Sequence, residues 1–333
     1  MKKILNNPND FVDESLHGIV LAHADQLKMV DEDPRLLVRK DAPIQGKVAI
    51  ATGGGYGHLP VFLGYVGEGL ADGVCVGNVF SSPSSDAMLA VTKAIDAGKG
   101  VLFLYGNYFG DKMNFDLAQE VAEESGIQVE TVRVTDDVAS QPHENRKKRR
   151  GVAGIFYAYK IAGAAANEGK NLQEVKRAAE KAVENVGTIG VGFTPTTIPA
   201  SGKPTFMIQD DEIEIGIGIH GEPGIERTPV KLAKELVVDL VNHLMEDLNI
   251  QPNDEISVLV NGMGATPLEE LYVAYREVYN CLLEKEIRIY HPYVGDYGTS
   301  LDASGFSISF LKLDEEIKGY LDAPVCSPFF QQG

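Results

Sequence analysis

The stretch KVAIATGGGYGHLP, residues 47–60, indicates how this chain folds. Its first six residues, KVAIAT, form a short apolar run of the kind that predicts a buried strand. A glycine-rich segment follows at once and ends at His58. Ligands of open α/β folds bind at the carboxyl ends of the strands. We therefore expect His58 to lie at such an edge of a sheet.

Apolar runs alternate with amphipathic segments along the rest of the chain. The other candidate strands are GVLFLY (100–105), VETVRV (129–134), TIGVGF (188–193), ISVLVN (256–261), IRIYH (287–291) and FSISFLKL (306–313). The candidate helices are FDLAQEVAEES (115–125), GVAGIFYAYKIAGAAANEG (151–169), NLQEVKRAAEKAVENV (171–186), PVKLAKELVVDLVNHLMEDL (229–248) and PLEELYVAYREVYNCLLEKE (267–286). This alternation predicts two layered α/β domains, residues 1–185 and 186–333, with the functional site between them.

Composition and charge exclude several classes of partner. The chain has 333 residues and is 44% hydrophobic, with 30 basic against 48 acidic residues and a net charge of -18. Such a field repels nucleic acid and anionic lipid. No apolar run approaches a signal-peptide core or a membrane span. We predict a cytoplasmic protein that binds neither nucleic acid nor membranes.

Cysteine usage argues against a structural metal site. Cys75, Cys281 and Cys326 are far apart and show no CxxC spacing. Neither a disulfide framework nor a zinc site is indicated, and we predict no metal ligands.

The glycine run has two interpretations. Its spacing differs from GxGxxG, because His58 occupies the last position, and no GxxxxGK[ST] occurs in the chain. Consecutive glycines allow backbone amides to approach a ligand closely, with His58 at the rim. The alternative is a tight turn with a solvated histidine.

EIEIGIGIHGEPG, residues 212–224, places a second histidine in an unusual setting. Isoleucine at every second position predicts a period-2 strand closed by His220, with glycines on the opposite face. Glycine weakens a strand interior unless a bulge or a close approach requires it. We expect room for a ligand there, the alternative being a histidine satisfied by the following turn.

YGNYFGDKMNF, residues 105–115, places Asp111 in a glycine-bounded loop after a strand, before a helix that begins near Asn114. Asp111 is either the cap of that helix or a catalytic base.

Two charged runs also leave alternatives open. RKKRR, residues 146–150, is typical of nucleic-acid binding, of a solvated loop, or of docking to a phosphate-bearing partner. TDDVA, residues 135–139, offers Asp136 and Asp137 to a metal or to the capping of a turn.

Taken with NGMGATPLEELY (261–272) and RRGVAGIFYAYKIAGAAA (149–166), these stretches resemble the substrate-binding K subunit of the dihydroxyacetone kinase family over essentially the whole chain. GGGYGH stands where the family has GGGSGH, and GNYFGDKMNF stands where it has KNYTGDxxNF. GIGIHGEPG is identical to the common family form.

The resemblance implies a phosphotransferase that binds dihydroxyacetone, also called glycerone, or a similar short ketose. In the family, the histidine at the position of His220 adds to the ketone and holds the substrate as a covalent hemiaminal. Neutral imidazole has the free lone pair that this addition needs. Asp111 matches the general base and His58 a residue that hydrogen-bonds a substrate oxygen. Gly55 lies in the segment that contacts the substrate.

Four positions depart from the family pattern. Tyr56 replaces serine, Leu59 glutamate, Gly106 lysine and Phe109 threonine. We expect Tyr56, Gly106 and Phe109 to line the substrate pocket, where lysine is lost and aromatic bulk is added. Retained dihydroxyacetone specificity, a changed ketose such as a tetrulose, and a sensory paralogue all stay open.

The resemblance also implies partners. With no nucleotide-binding motif, the chain is expected to bind no cofactor itself and to receive its phosphoryl donor from a separate L-type (DhaL) subunit that holds ADP or ATP with magnesium. An M-type (DhaM) protein of the phosphotransferase system is the donor in bacterial relatives, whereas other members use ATP directly. A homodimer is implied as well. The alternative function is a dihydroxyacetone-sensing co-regulator of a transcription factor.

Overall fold

The computed structural model describes residues 2–333, which form helices and two six-stranded sheets in alternating layers. The strands are β1 (Leu27–Val30), β2 (Asp33–Arg39), β3 (Ala49–Tyr56), β4 (Gly73–Val79), β5 (Val101–Gly106), β6 (Val129–Val134), β7 (Val186–Thr194), β8 (Glu212–Ile215), β9 (Glu226–Pro229), β10 (Glu255–Gly262), β11 (Arg288–Gly295), β12 (Ser304–Lys312), β13 (Val325–Cys326) and β14 (Gln331–Gln332). The helices are α1 (Phe11–Ala22), α2 (Ser85–Ile95), α3 (Phe109–Glu124), α4 (Ile155–Asn167), α5 (Leu172–Asn185), α6 (Ala233–Asp247), α7 (Leu268–Glu284) and α8 (Glu315–Asp322).

The first sheet has a point where its connections change direction. Its strand order is β1-β2-β4-β3-β5-β6, and β3 runs parallel to both β4 and β5. The chain therefore passes from β3 to β4 on one side of β3, and it later adds β5 on the other side. Pairing of β3 with β5 stops at Ala51, whereas pairing with β4 continues to Tyr56. Ligands of α/β sheets bind in the crevice that such a change of direction creates.

The second sheet is mainly antiparallel, with the order β11-β10-β12-β7-β8-β9. Only β10 and β11 pair in parallel among its strands. Helices α6 and α7 cover its outer face, where Leu236, Leu240 and Leu244 are buried in one cluster with the strand residues.

A central layer of helices packs against both sheets. All residues of α4 except Asn167 are buried, and the same cluster contains Leu102 of the first sheet and Leu259 of the second. Helix α5 begins with a capping box between Asn171 and Glu174, which satisfies amide groups that a helix start leaves free. Helices α2 and α3 cover the other face of the first sheet. The prediction of layered α/β architecture is confirmed.

The predicted boundary coincides with the passage from α5 directly into β7 at residue 186. The C-terminal segment returns to the first half, where Cys326 forms a backbone bridge with Glu68. The division into two domains stays a prediction, because the central helices serve both sheets.

Three local predictions are wrong. The strand predicted to end at residue 52 continues to Tyr56, so the glycines at 53–55 belong to β3 itself. The strand expected to run from Glu212 to His220 ends at Ile215, because Gly216 adopts a φ of +79° and turns the chain. Helix α3 begins at Phe109, five residues before the predicted start. Strands β1, β2, β4, β9, β13 and β14 and helices α1, α2 and α8 were not predicted.

None of the helices within residues 2–333 combines the length and the apolar character that crossing a bilayer requires.

Candidate active site

Loops that follow the parallel strands of the first sheet meet at one edge, as predicted for His58. They bring together His58 after β3, Phe80 and Ser82 after β4, and Tyr108 and Asp111 after β5. The turn that follows β8 in the second half carries His220 to the same edge, where its ring contacts the rings of His58, Phe80 and Tyr108. The candidate site therefore lies between the two halves.

His58 is held in one tautomer. Its Nδ1–H donates to the carbonyl oxygen of Thr299 at 2.8 Å, and a carbonyl can only accept, so the lone pair is on Nε2. Burial, and then the charge of His220, lower the pKa of His58 to about 3, although the Thr299 carbonyl and Glu222 act in the opposite direction. At neutral pH, His58 is therefore an uncharged hydrogen-bond acceptor.

Glu222 fixes both the backbone and the ring of His220. The backbone N–H of His220 donates to Oε2 of Glu222 at 2.9 Å, and ring atom Nδ1 lies 2.9 Å from Oε1. Burial raises the pKa of Glu222, but the hydrogen bonds and the charge of His220 outweigh it and bring that pKa to about 2. An ionised carboxylate can only accept a hydrogen bond, so Nδ1 carries a proton, and in the neutral form of the ring the lone pair is on Nε2.

Aromatic rings enclose the imidazole of His220 edge to face. Ring centroids lie 4.7 Å away for Tyr108, 4.8 Å for His58 and 5.3 Å for Phe80. Phe80 also stacks on His58, with 4.8 Å between centroids. Packing of this kind restricts ring rotation. The His220 side chain is still 23% exposed, which gives a small molecule access to it.

Asp111 lies in the first turn of α3 and faces inward. Tyr108 is the N-cap residue and makes no side-chain capping bond, so the interpretation of Asp111 as the cap is wrong. Burial raises the pKa of Asp111 to about 6, against the opposing effects of the Ser82 hydroxyl and His220. A carboxyl group with a pKa near neutrality is suited to general base catalysis.

Three buried side-chain atoms lack a hydrogen-bond partner among residues 2–333, and all three belong to this site. They are Nε2 of His58, the hydroxyl of Tyr108 and Oδ1 of Asp111. Buried polar atoms without partners are rare in folded proteins and require a reason. The atoms of His58 and Asp111 are acceptors. The Tyr108 hydroxyl is a donor, because burial is the largest of several causes that raise its pKa well above 10. A small ligand rich in hydroxyl and carbonyl oxygens would satisfy all three.

The glycine run allows backbone segments to approach each other. A Cβ on Gly55 would lie 2.6 Å from the amide nitrogen of Ser81 and 2.8 Å from Cα of Phe80. Glycine at 55 therefore permits the approach of the segment from which Phe80 stacks on His58. With only 2% exposure of His58, the alternative of a tight turn with a solvated histidine is wrong.

The three remaining predicted pocket residues lie in different surroundings. A Cβ on Gly106 would lie 3.3 Å from the Tyr108 ring. This ring therefore occupies space that a longer side chain at position 106 would need. The Tyr56 ring packs on α1, where its hydroxyl pairs with that of Ser15. The Phe109 side chain is 79% exposed on α3. Their roles as substrate-binding residues stay predictions.

Arg150 supports the turn that carries His220. It pairs with Asp137 at 2.8 Å and donates to the carbonyl oxygen of Gly216 at 3.2 Å. A Cβ on Gly218 would collide with both Glu222 and Arg150, whose side chains fill the space that we expected a ligand to occupy. The protein's own charged groups thus pack against Gly218, whereas a Cβ on Gly216 would meet Ala139 and Ile225.

Asp136 acts on the backbone at the start of the segment before α4. Its carboxylate oxygens accept the amide hydrogens of Val152 and Gly154, each at 2.8 Å. Of its two interpretations, the capping one agrees with these bonds. Within residues 2–333, no three His, Cys, Asp or Glu side chains are grouped in a way that could hold a metal ion.

Several site residues were not predicted. Glu222 was within reach, because it lies two residues after His220 in the quoted motif. Thr299, Phe80 and Tyr108 act through tertiary contacts that leave no periodic signal in the sequence.

A family model for the Dak1 domain matches residues 17–329. The chain belongs to the Dak1 family. The resemblance inferred from the motifs around His58, Asp111 and His220 is thereby confirmed.

Three similar proteins illustrate the range of this family. A Dak1 relative from Listeria innocua, the dihydroxyacetone-binding subunit DhaK of a PTS-dependent dihydroxyacetone kinase 2, is 44% identical over 99% of both chains. A D-erythrulose kinase from Mycolicibacterium smegmatis is 40% identical over 100% of this chain and 57% of its own length. A solved structure, the dihydroxyacetone kinase operon co-activator Dha-DhaQ, superimposes with a TM-score of 0.88 at 32% identity and covers 94% of this chain and 96% of its own.

Proposed function

We propose that this Dak1 chain is the ketose-binding subunit of a dihydroxyacetone kinase and holds its substrate covalently on His220. The observation that carries this proposal is the uncommitted Nε2 of His220 beside three buried polar atoms that lack partners. A nucleophilic nitrogen selects a carbonyl carbon, and the unpartnered atoms select hydroxyl groups around it. Short ketoses carry both features, whereas glycerol has no carbonyl.

The addition step needs groups of this site and solvent water. Nε2 of the neutral form of His220 forms a bond to the carbonyl carbon as the π bond of the carbonyl opens. The positive charge that develops on the ring is stabilised by ionised Glu222 at Nδ1–H. The former carbonyl oxygen takes one proton from solvent, and the Nδ1 proton is released to solvent. Ketose and imidazole therefore combine without a net gain or loss of protons. His58 accepts a hydrogen bond from one hydroxyl of the adduct, and Tyr108 donates to another oxygen.

Asp111 serves the transfer step. It removes the proton from the terminal hydroxyl as that oxygen attacks the phosphoryl group. Its pKa of about 6 leaves it mostly ionised at neutral pH and basic enough to accept a proton. The hydroxyl keeps its position throughout, because the hemiaminal bond fixes the neighbouring carbon of the substrate.

The phosphoryl donor comes from a second protein in this proposal. The erythrulose kinase relative is much longer than this chain, whereas the Listeria relative is a separate binding subunit matched from end to end. We infer an L-type partner with bound ADP and magnesium, rephosphorylated by an M-type protein of the phosphotransferase system. A cytoplasmic location and a homodimer stay predictions.

A sensor is the second candidate, favoured by the structural similarity to an operon co-activator. A sensor needs the adduct but no base, so the inward position and raised pKa of Asp111 favour the enzyme. A kinase for a tetrulose is a third candidate, suggested by the erythrulose kinase relative and by Gly106 in place of lysine.

One experiment separates these candidates. The chain is mixed with an L-type subunit and its phosphoryl donor, and phosphorylated product is measured with dihydroxyacetone, erythrulose or glycerol as substrate. We expect turnover with a ketose, none with glycerol, and loss of turnover in His220→Gln. The exposed His243→Gln on α6 is the matched control and should keep full activity. Adduct formation without turnover would support the sensor, and turnover with erythrulose alone would support the tetrulose kinase.

A further inference from the structure

The basic run RKKRR divides into an inner and an outer part. Arg149 and Arg150 turn inward, where they pair with Asp247 and Asp137. Arg146 and Lys147 line an open groove together with Lys112 of α3. We call these three residues the basic groove. The same depression is also lined by Arg133 and Lys176, and by the carboxylates of Glu130, Glu180 and Glu184.

The three cations of the basic groove lack ion-pair partners among residues 2–333, and they outnumber the two carboxylates of the same depression that also lack one, Glu180 and Glu184. Arg133 pairs with Asp116, and Lys176 pairs with Glu130 at 2.6 Å. Lys112, Arg146 and Lys147 form no ion pair within residues 2–333, although the chain has a net charge of -18. Uncompensated positive charge on an acidic protein attracts anions to one place on its surface.

The basic groove adjoins the candidate active site. Lys112 directly follows Asp111 in α3, and Asn107, which also lines the groove, directly precedes Tyr108. The Asn107 side chain donates to the carbonyl oxygen of Arg149 at 2.8 Å, which ties the basic segment to the end of β5. An anion in the groove would therefore lie beside the residues that act on the ketose.

An apolar stripe on the same helix points to a protein as the source of that anion. Phe109, Met113 and Leu117 recur every four residues on α3 and are 79%, 58% and 49% exposed. A free small anion gains nothing from such a stripe. A protein partner buries it, and contiguous exposed apolar side chains are typical of protein interfaces.

We propose that the apolar stripe of α3 and the basic groove together form the docking surface for the nucleotide-bearing partner subunit. The stripe contacts the protein, and Lys112, Arg146 and Lys147 attract the polyphosphate that it presents. The proposal rests on the proposed function, because that function requires a donor to reach Asp111. It adds the face from which the donor arrives and the charges that guide it.

The test of this surface is the affinity of the 333-residue chain for the L-type subunit. The L-type subunit is used either loaded with ADP and magnesium or free of nucleotide. Its affinity is measured at about 25 mM and at about 300 mM salt, because screening weakens steering by charge. The variants are the triple charge reversal Lys112→Glu, Arg146→Glu and Lys147→Glu, and the double change Phe109→Ser and Met113→Ser. Lys234→Glu, an exposed lysine on α6, is the matched control.

We expect the triple reversal to weaken binding of the ADP-loaded subunit by about tenfold or more at low salt, with a smaller effect at high salt. The nucleotide-free subunit should respond less. The double change should weaken binding at both salt concentrations, and Lys234→Glu should stay within about twofold of wild type. A triple variant that binds as well as wild type at low salt, or equally weakened binding with and without ADP, would overturn the proposal.

A second readout keeps this proposal distinct from the proposed function. Adduct formation with carbon-13-labelled dihydroxyacetone should be the same in the triple variant as in wild type, which also verifies that the variant is folded. If wild type forms no adduct but binds the ADP-loaded subunit through these charges, the docking surface stands and the covalent mechanism fails. If the adduct forms while the charges have no effect on binding, the docking surface fails alone.

Discussion

The imidazole rings of His58 and His220 meet edge to face across the two halves of the chain, with 4.8 Å between their centroids. They are in opposite electrostatic settings. His58 is buried and has a pKa of about 3, whereas His220 is clamped by an ionised carboxylate. One ring is therefore a neutral acceptor at physiological pH, and the other is oriented to act as a nucleophile.

Replacing Glu222 with Gln should slow adduct formation while leaving the fold intact. The amide keeps the shape of the side chain but loses the charge that holds the Nδ1 proton of His220. Loss of the group that holds the second nitrogen of a metal-bound histidine typically costs about 10- to 100-fold in function, and we expect a loss of the same order here. Stopped-flow measurement of ketose binding checks this prediction. An unchanged rate would show that Glu222 is only a structural part of the turn.

Asp111→Asn should separate binding from transfer. The variant lacks the base that removes the hydroxyl proton, so the turnover number should fall by about 10² to 10⁴. Adduct formation should persist, because His220 and Glu222 are unchanged. Kinetics with saturating ketose, combined with the adduct signal, checks both parts. Equal loss of adduct and turnover would contradict the assigned role.

The same substitution should raise stability at neutral pH. The folded-state pKa of Asp111, about 6, lies above its ordinary value of 3.8, so ionising it in the folded protein costs free energy. Since one pKa unit corresponds to about 1.4 kcal/mol, Asp111→Asn should gain up to about 3 kcal/mol at pH 7. The gain should shrink as the pH falls from 6 to 4 and vanish below 3.8.

Denaturant unfolding of both proteins at a series of pH values measures this gain. Asp86→Asn is the control, because Asp86 is an exposed carboxyl group in the first turn of α2 and should change stability by less than about 0.5 kcal/mol. A gain at Asp111 that is independent of pH would contradict the electrostatic origin.

The rate of phosphoryl transfer to the preformed adduct should also depend on the ionisation of Asp111. This rate should fall as the pH decreases through about 6 in the wild-type protein, and the decrease should be absent in Asp111→Asn.

Gly55→Ala should destabilise the protein and disturb the site. Its Cβ would press on the backbone of Phe80 and Ser81, and overpacking of this kind costs about 1–3 kcal/mol. Gly18→Ala in α1 is the matched control, because no atom lies within 4 Å of its added Cβ. That variant should gain about 0.5–1 kcal/mol from helix propensity. Equal stability of the two variants would show that Phe80 and Ser81 move away freely.

The sequence predicted the elements whose signal is local. Strand β5 is a continuous apolar run, β12 alternates apolar residues with serines, and amphipathic α5 repeats its buried residues at helical spacing, so all three were found. Strand β2, DPRLLVR, has a proline and two arginines, which hid it. The strand through His220 was overextended, because alternating isoleucines do not reveal the positive φ of Gly216.

The site was predictable in its chemistry and not in its geometry. Two of the predicted residues, His58 and Asp111, come after strands β3 and β5, whose ends lie at the same edge of the first sheet. The third, His220, ends a glycine-rich motif. Tyr56 and Phe109 were expected to line the pocket, and this stays a prediction. Their side-chain directions depend on the register shift in β3 and on the true start of α3, neither of which the sequence reveals. The tautomer of His58 depends on the carbonyl of Thr299, a contact across 241 positions of sequence.

The most direct test of the central claim is carbon-13 NMR of the protein with dihydroxyacetone labelled at its carbonyl carbon. A covalent link to Nε2 of His220 converts a ketone carbon into a tetrahedral one, so the protein-bound signal should move far from the ketone region. This signal should be absent in His220→Gln and present in His243→Gln. A bound ligand that retains its ketone signal in the wild-type protein would contradict the account.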